Sequence, residues 1–162
     1  MEIERKFLIE REKLPEDYAS FPCQVIEQGY LCVAPVVRIR RANDEYILTY
    51  KAGGLMAREE YNLPLSRQAY LHLREKTDGI LISKKRYRIP EKDSLVIELD
   101  IFEAPYSGLI LAEVEFPTEE AARAYTPPAW FGEDVTFSGD FQNSRLSEGV
   151  PELMDRTVPP VE

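Results

Sequence analysis

Polar and apolar residues alternate along much of this chain, and alternation of period two is typical of β-strands. In the opening segment MEIERKFLI, the acids Glu2 and Glu4 and the amine Lys6 share one face.

Ser66 and Thr118 are good N-caps for predicted helices at 66–76 and 118–125, and a short helix is predicted at 143–148. The predicted strands span 2–10, 24–33, 35–42, 45–52, 57–64, 80–90, 94–104 and 109–117. Eight strands with few helices predict a mainly β (α+β) fold, an eight-stranded antiparallel sheet closed into a barrel.

Nearly every predicted strand has one charged face, and the charges within a strand are largely of one sign. A half-exposed sheet with a solvated polar side explains any single strand of this kind. Like charges two residues apart repel each other, so their recurrence favours a barrel whose charged faces point inward toward a ligand. The same-face sets are Arg38 with Arg40, Lys84 with Arg86 and Arg88, Glu98 with Asp100, and Glu113 with Glu115.

An inside-out barrel of eight strands would enclose a tunnel with room for one small ligand. Clustered carboxylates suit a hard divalent cation, whereas Arg and Lys suit phosphate oxygens. A polyphosphate carrying Mg²⁺ or Mn²⁺ would satisfy both signs, and phosphoryl transfer depends mainly on such positioning and neutralisation. The predicted lining comprises the acids Glu2, Glu4, Glu60, Glu98, Asp100, Glu113 and Glu115 and the bases Lys6, Arg38, Arg40, Lys51, Arg58, Lys84, Arg86 and Arg88.

Composition narrows the class of protein. The chain has 162 residues, 44% of them hydrophobic and 30% charged, which predicts a soluble single domain. Its net charge of −9 argues against a nucleic-acid partner. We find no signal peptide and no apolar run near the ~20 residues of a membrane span, so we expect a cytoplasmic protein with no membrane partner and free thiols at Cys23 and Cys32. The domain is expected at 1–149, followed by a disordered, Pro-rich tail at 150–162.

The segment Glu2-Ile3-Glu4-Arg5-Lys6 matches an ExExK signature, and VRIR, LTYK, REEY, KKRY, IELD and EVEF follow it in order. In these motifs the sequence resembles the CYTH superfamily, the triphosphate tunnel metalloenzymes, over residues 1–149. The form MEIERKFLI and the segment PPAWFGEDVT are similar to small bacterial inorganic tripolyphosphatases. The resemblance implies a tunnel-shaped barrel and a metal-dependent attack on a triphosphate. The sequence departs from the family pattern at Asn62, where a further Glu is common.

The resemblance also implies roles for the charged residues. Implied metal ligands are Glu2, Glu4, Glu113 and Glu115, with Glu98 and Asp100 assisting directly or through water. Implied phosphate contacts are Lys6, Arg38, Arg40, Lys51, Lys84 and Arg86. Arg58 is a further candidate for substrate binding, although a pair with Glu60 would also explain it. Tyr30 would either pack within its strand or reach the tunnel and position water, so the candidate catalytic residues are Glu4, Lys6, Lys84 and Tyr30.

These observations favour hydrolysis of inorganic tripolyphosphate by metal-activated water. A class IV adenylate cyclase or a thiamine triphosphatase built on the same tunnel is an alternative, as is a non-catalytic polyphosphate-binding module. The cyclase needs a nucleoside pocket, and no stacking site is evident in the strands. A module that only binds an anion would favour bases over acids. The sequence leaves the choice between a monomer and a homodimer open.

Overall fold

The structure is a computed structural model that describes residues 1–154. The strands are β1 (Glu2–Leu8), β2 (Cys23–Val33), β3 (Val36–Ala42), β4 (Glu45–Lys51), β5 (Ala57–Arg58), β6 (Glu60–Pro64), β7 (Asp78–Pro90), β8 (Val96–Phe102) and β9 (Ile110–Glu115). The α-helices are α1 (Arg67–Arg74), α2 (Glu119–Ala124) and α3 (Asn143–Glu148). Short 3₁₀ turns lie at Arg11–Lys13, Tyr18–Ser20, Lys92–Ser94, Gly139–Phe141 and Pro151–Leu153.

All strands pair antiparallel, in the order β5-β1-β9-β8-β7-β2-β3-β4-β6. The two ends of this order, β5 and β6, are separated along the chain by Glu59 alone. They form one interrupted strand whose first part pairs with β1 and whose second part pairs with β4. The sheet is thereby closed, which confirms the predicted antiparallel barrel and its strand at 57–64.

The predicted helices are present and begin at the predicted caps. The Ser66 hydroxyl accepts a hydrogen bond from the Ala69 amide at 3.0 Å, and the Thr118 hydroxyl accepts one from the Ala121 amide at 3.0 Å. These bonds satisfy amides that the first turn of a helix leaves free. Within residues 1–154, no helix has the length and apolar composition needed to cross a membrane.

The main hydrophobic core lies outside the barrel wall. Ile3 and Phe7 of β1 and Val114 of β9 are buried beneath a covering formed by Ala122 of α2 and Phe131. The Phe7 and Phe131 rings have centroids 4.8 Å apart. Because neighbouring residues of a strand point to opposite faces, burial of this apolar face turns the charged face inward. The inside-out arrangement predicted from the alternation is therefore present.

One end of the interior is filled by apolar side chains, so the barrel forms a cup. Ile82, Phe102 and Leu111 continue the inward faces of β7, β8 and β9 and are each at most 3% exposed. Leu146 of α3 and Val150 pack against them in one cluster. The sequence predicted the tunnel but not its apolar end, because charged residues mark the inward face while apolar residues on that face give no signal in the alternation.

Packed structure extends past the predicted domain boundary at residue 149. Val150 is buried, and the following residues, Pro151–Leu153, form a 3₁₀ turn. The apolar cluster in the barrel interior accounts for this order, because Val150 and Leu153 both contribute to it. The remainder of the predicted tail, residues 155–162, lies outside the described residues.

Candidate active site

A strongly charged cavity of about 380 Å³ occupies the open part of the barrel. The start of α3, through Gln142, Asn143 and Ser144, contributes to its wall. Most of the predicted lining residues line this cavity. The exceptions are Lys84, Asp100 and Arg88, and Arg88 is exposed and pairs with Glu98 at 2.9 Å. The other lining residues are Glu2, Glu4, Lys6, Tyr30, Val36, Arg38, Arg40, Ile47, Thr49, Lys51, Arg58, Glu60, Asn62, Arg86, Glu98, Glu113 and Glu115.

Strand register explains why residues far apart in sequence meet here. Glu4 lies opposite Glu115 and Lys6 opposite Glu113, while Glu113 also lies opposite Glu98. Directly opposed residues of antiparallel strands project to the same face. The alternation of each strand, combined with this register, therefore brings the ExExK segment and the EVEF segment into one acidic wall.

Part of the charge in the cavity is already neutralised by ion pairs. Burial opposes ionisation of Glu113, but the Lys6 and Arg86 charges hold its pKa well below the usual range. Burial likewise opposes ionisation of Glu2, and Lys51 lowers its pKa. The pairs are Lys51 with Glu2 at 2.8 Å, Lys6 with Glu113 at 3.4 Å, and Arg86 with Glu98 at 3.2 Å and Glu113 at 3.6 Å.

Three lining carboxylates, Glu4, Glu60 and Glu115, have no Lys or Arg ion-pair partner within residues 1–154. Burial and the neighbouring Glu113 and Glu2 carboxylates raise the pKa of Glu4 to about 8. Burial and the Glu2 and Glu60 charges also raise the pKa of Glu115. These carboxyls therefore hold their protons more tightly than usual, and a cation bound beside them would favour their ionised form.

Three lining guanidiniums, those of Arg38, Arg40 and Arg58, have only neutral partners within the described part of the chain. The Arg40 Nε donates to Gln28 Oε1 at 2.7 Å, and an Arg38 terminal nitrogen donates to Thr49 Oγ1 at 3.2 Å. The Arg58 Nε donates to a backbone carbonyl. Burial, with Arg38 and Arg86 nearby, lowers the pKa of Arg40 to about 9. Arg38 and Arg40, both on β3, form a positive wall suited to an anion, whereas Arg58 lies opposite Glu2 beside the acidic wall.

Lys84 and Asp100 point inward as predicted but lie beneath the cavity surface, both 0% exposed. The Lys84 Nζ lies 2.6 Å from Asp100, whose carboxylate also receives a bidentate pair of hydrogen bonds from Arg86 at 2.7 and 2.8 Å. Burial opposes ionisation of Asp100, but the Arg86 and Lys84 charges lower its pKa.

Lys84 was predicted to contact phosphate, and Asp100 to assist metal binding directly or through water. The alternation gave the face of these residues correctly but not their depth beneath the cavity surface. At this depth the apolar end of the cup, here Phe102, already covers the ammonium. Lys84 instead donates a hydrogen bond to Asn143 Oδ1 at 3.1 Å. It thereby fixes part of the cavity wall that α3 contributes.

The acidic wall is compatible with a hard divalent cation. No three acidic, His or Cys side chains within residues 1–154 converge into a ready-made ligand cluster. Mg²⁺ commonly binds to one or two carboxylates and completes its coordination with water and substrate phosphates. Glu4 and Glu115, opposed in register and unpaired, supply such a pair of oxygen donors. The chemistry of the donors therefore fits a cation that is shared with a phosphate ligand.

Sequence reasoning missed Gln28 and Thr49, which are both 0% exposed and hold cavity guanidiniums. Neither residue is charged, so neither stood out in the charge pattern. Their signal was the alternation itself: Gln28 lies opposite Arg40 and Thr49 lies opposite Arg38. Tyr30, which had two possible locations, is 2% exposed and lines the cavity.

Comparison with known proteins identifies the family. The family model of the CYTH domain matches residues 1–147. The chain belongs to the CYTH domain family. Among curated relatives of this CYTH protein, an inorganic triphosphatase of Nitrosomonas europaea is 36% identical over 158 residues, covering 93% of this chain and 99% of the relative. An inorganic triphosphatase of Acetivibrio thermocellus is 33% identical, covering 90% of this chain and 92% of the relative.

Solved structures support the same assignment. The crystal structure of an inorganic triphosphatase matches this CYTH protein with a TM-score of 0.69 and 34% identity, covering 93% of this chain and 97% of the other. A Hippeastrum protein described as a putative adenylyl cyclase with a dominant triphosphatase activity matches with a TM-score of 0.58. It is 16% identical and covers 76% of this chain and 83% of its own, so it supports the fold alone.

Proposed function

We propose that this CYTH protein hydrolyses inorganic tripolyphosphate to phosphate and pyrophosphate with the help of a divalent metal ion. The observation that carries the proposal is the division of unpaired charge in the cavity. Glu4, Glu60 and Glu115 lack cationic partners, whereas the Arg38, Arg40 and Arg58 guanidiniums lack anionic ones within residues 1–154. A metal-bound triphosphate supplies both complements at once. Two relatives named inorganic triphosphatase support the same substrate class.

The guanidinium wall would bind the phosphate chain. Arginine matches phosphate geometry and can donate two parallel hydrogen bonds to it. Arg40 uses its Nε on Gln28, and its two terminal nitrogens are not hydrogen bonded within the described residues. Lys6 and Arg86 also line the cavity and would extend the contacts after exchanging part of their carboxylate pairing. The phosphoryl group to be transferred would lie at Arg38 and Arg40.

The acidic wall would hold the metal ion through Glu4 and Glu115, with Glu2, Glu60, Glu98 and Glu113 close enough to assist from the same lining. Mg²⁺ and Mn²⁺ both suit oxygen donors of this kind. When bound, such an ion would neutralise phosphate charge and favour deprotonation of the attacking water. The remaining acids would favour a cation at this wall over one beside the arginines.

In the reaction, a water oxygen forms a bond to a terminal phosphorus while the bond from that phosphorus to the bridging oxygen breaks. Negative charge shifts to the leaving pyrophosphate and the transferred oxygens, where fixed guanidiniums stabilise it without reorganisation. Tyr30 lies opposite Arg38 in the register and lines the cavity, and its hydroxyl would orient the water. Lys84 would act indirectly, by holding Asn143 and Asp100.

The lining also favours an inorganic substrate over an organic one. Besides Tyr30, its apolar members within the described residues are Val36 and Ile47. These two side chains offer little surface for stacking or burying a nucleobase. A nucleoside triphosphate would bind through its phosphates while its base gained few contacts, so we expect tripolyphosphate to react faster than ATP.

The direct test is a substrate panel with purified protein. Tripolyphosphate, ATP, thiamine triphosphate and pyrophosphate are each incubated with Mg²⁺, with Mn²⁺ and with a chelator, and both phosphate and cyclic AMP are quantified. We expect fastest release of phosphate from tripolyphosphate, dependent on metal. Cyclic AMP as the main product from ATP, or hydrolysis that is unchanged by the chelator, would overturn the proposal. Lys85→Ala on the exposed outer face serves as the variant control.

A further inference from the structure

Gln28, like Thr49, is a neutral interior residue that is 0% exposed and in contact with a cavity guanidinium. Its Oε1 accepts a hydrogen bond from Arg40 Nε at 2.7 Å, the length of a strong charge-assisted bond. The two residues lie directly opposite each other on β2 and β3. Gln28 does not itself line the cavity, so it lies behind Arg40 as seen from the ligand space.

The hydrogen-bond partners of Arg40 and Arg38 are neutral, unlike those of most other cavity cations. Lys6, Lys51 and Arg86 each contact at least one carboxylate. A carboxylate at position 28 would pair with Arg40, cancel its charge and occupy donors needed by an anion. An amide oxygen fixes the same Nε while leaving the positive charge uncompensated. The amide therefore orients the guanidinium and preserves its affinity for phosphate.

The nitrogen of the same amide makes no hydrogen bond within residues 1–154. Gln28 Nε2 is buried and has no hydrogen-bond partner among the described residues. An unpaired buried donor costs stability, whereas an apolar side chain of similar size would avoid that cost. The acceptor oxygen is thus the part of Gln28 that an apolar replacement could not supply.

Resting on the proposed function, we propose that Gln28 is a positioning residue that holds Arg40 for phosphate binding and keeps its charge free. The two functions of the side chain separate experimentally. Gln28→Met retains length and apolar volume but removes the acceptor, so Arg40 loses its orientation. Gln28→Glu retains an acceptor but adds a charge that competes with phosphate. Gln24→Met, on the same face of β2 but opposite Arg86, is the matched control.

Two measurements test the proposal, steady-state hydrolysis of tripolyphosphate with Mg²⁺ and calorimetric binding of tripolyphosphate in a chelator. We expect Gln28→Glu to weaken binding and raise KM by about 10- to 100-fold without lowering the unfolding temperature. We expect Gln28→Met to lower kcat by about tenfold with a smaller change in KM. Gln24→Met should match the wild type in both assays.

A double-mutant cycle separates positioning from a general packing effect. In an Arg40→Ala background, Gln28→Met should cause no further loss of kcat, because the group that it positions is gone. Additive losses, or binding and kinetics of both Gln28 variants equal to the wild type, would overturn the inference. A wild-type protein that binds tripolyphosphate without hydrolysing it would overturn the proposed function instead, and the binding arm would still decide the role of Gln28.

Discussion

Glu4→Gln should make the metal-free protein more stable at neutral pH, even though it removes a charged residue from the site. The pKa of Glu4 is raised from its ordinary value of 4.5 to about 8 by burial and by neighbouring carboxylates. The folded protein therefore binds the Glu4 proton more tightly than the unfolded chain does. The resulting penalty on folding increases as pH rises from about 4.5 to about 8.

The size of the effect follows from that difference. At pH 7 the unfolded carboxyl is ionised while the folded one is mainly protonated, which costs the folded state at most about 3 kcal/mol. A neutral amide of the same shape avoids this cost. For a chain of this size, the unfolding temperature should rise by about 5–10 °C. Near pH 4.5 the gain should be much smaller, because the folded carboxyl is then protonated and the unfolded one is already about half protonated.

The assay is thermal unfolding in a chelator from pH 4.5 to pH 8 for the wild type, Glu4→Gln and Glu59→Gln. Glu59 is an exposed carboxylate outside the cavity lining, so its variant controls for the loss of one charge. A Glu4→Gln protein that is no more stable than the wild type at pH 7, or that gains equally at pH 4.5, would refute the reasoning. Added Mg²⁺ should stabilise the wild type more than Glu4→Gln.

The remaining predictions concern the cavity wall, the attacking water and the apolar end of the cup. Arg86→Ala should lower kcat by about 10- to 100-fold, whereas Lys85→Ala on the outer face should remain near wild type in steady-state assays. Tyr30→Phe should lower kcat by about tenfold with little change in KM, measured with tripolyphosphate, because it removes only the hydroxyl. Leu146→Ala should cost about 2–5 kcal/mol in urea denaturation, since this fully buried side chain fills the apolar end of the cup.

A different experimental outcome would contradict each of these predictions. If Lys85→Ala strongly lowered kcat and Arg86→Ala left it unchanged, the inward and outward faces of β7 would be the reverse of those described. A larger change in KM than in kcat for Tyr30→Phe would place its hydroxyl in substrate binding instead of orientation of the water. A Leu146→Ala protein with unchanged stability would show that α3 does not close the barrel through this contact.

The alternation of charged and apolar residues was sufficient to predict the barrel and the inward face. It worked because the outward apolar face is buried by helices and loops, so every strand needed two distinct faces. The same pattern could not give depth along the barrel axis. It therefore placed Lys84 and Asp100 on the inward face without showing that the neighbouring Phe102 and Leu111 fill the space at their level.

Other parts of the site were not predicted because no pattern of charged residues marks them. Gln28 and Thr49 are neutral, and their importance lies in the guanidiniums that they contact. Leu146 and Val150 close the apolar end of the cup by packing with residues that include Phe102, more than 40 positions away in the sequence. A local pattern does not encode such contacts. The division into paired and unpaired charges likewise depends on register and side-chain reach.

The most direct test of the account is a crystal structure with a non-hydrolysable tripolyphosphate analogue and Mn²⁺, measured at the manganese absorption edge. The account predicts an anomalous peak inside the cup beside Glu4 and Glu115, with phosphate oxygens in contact with Arg38 and Arg40. A manganese peak outside the cavity, or an analogue bound without contact to either guanidinium, would contradict it.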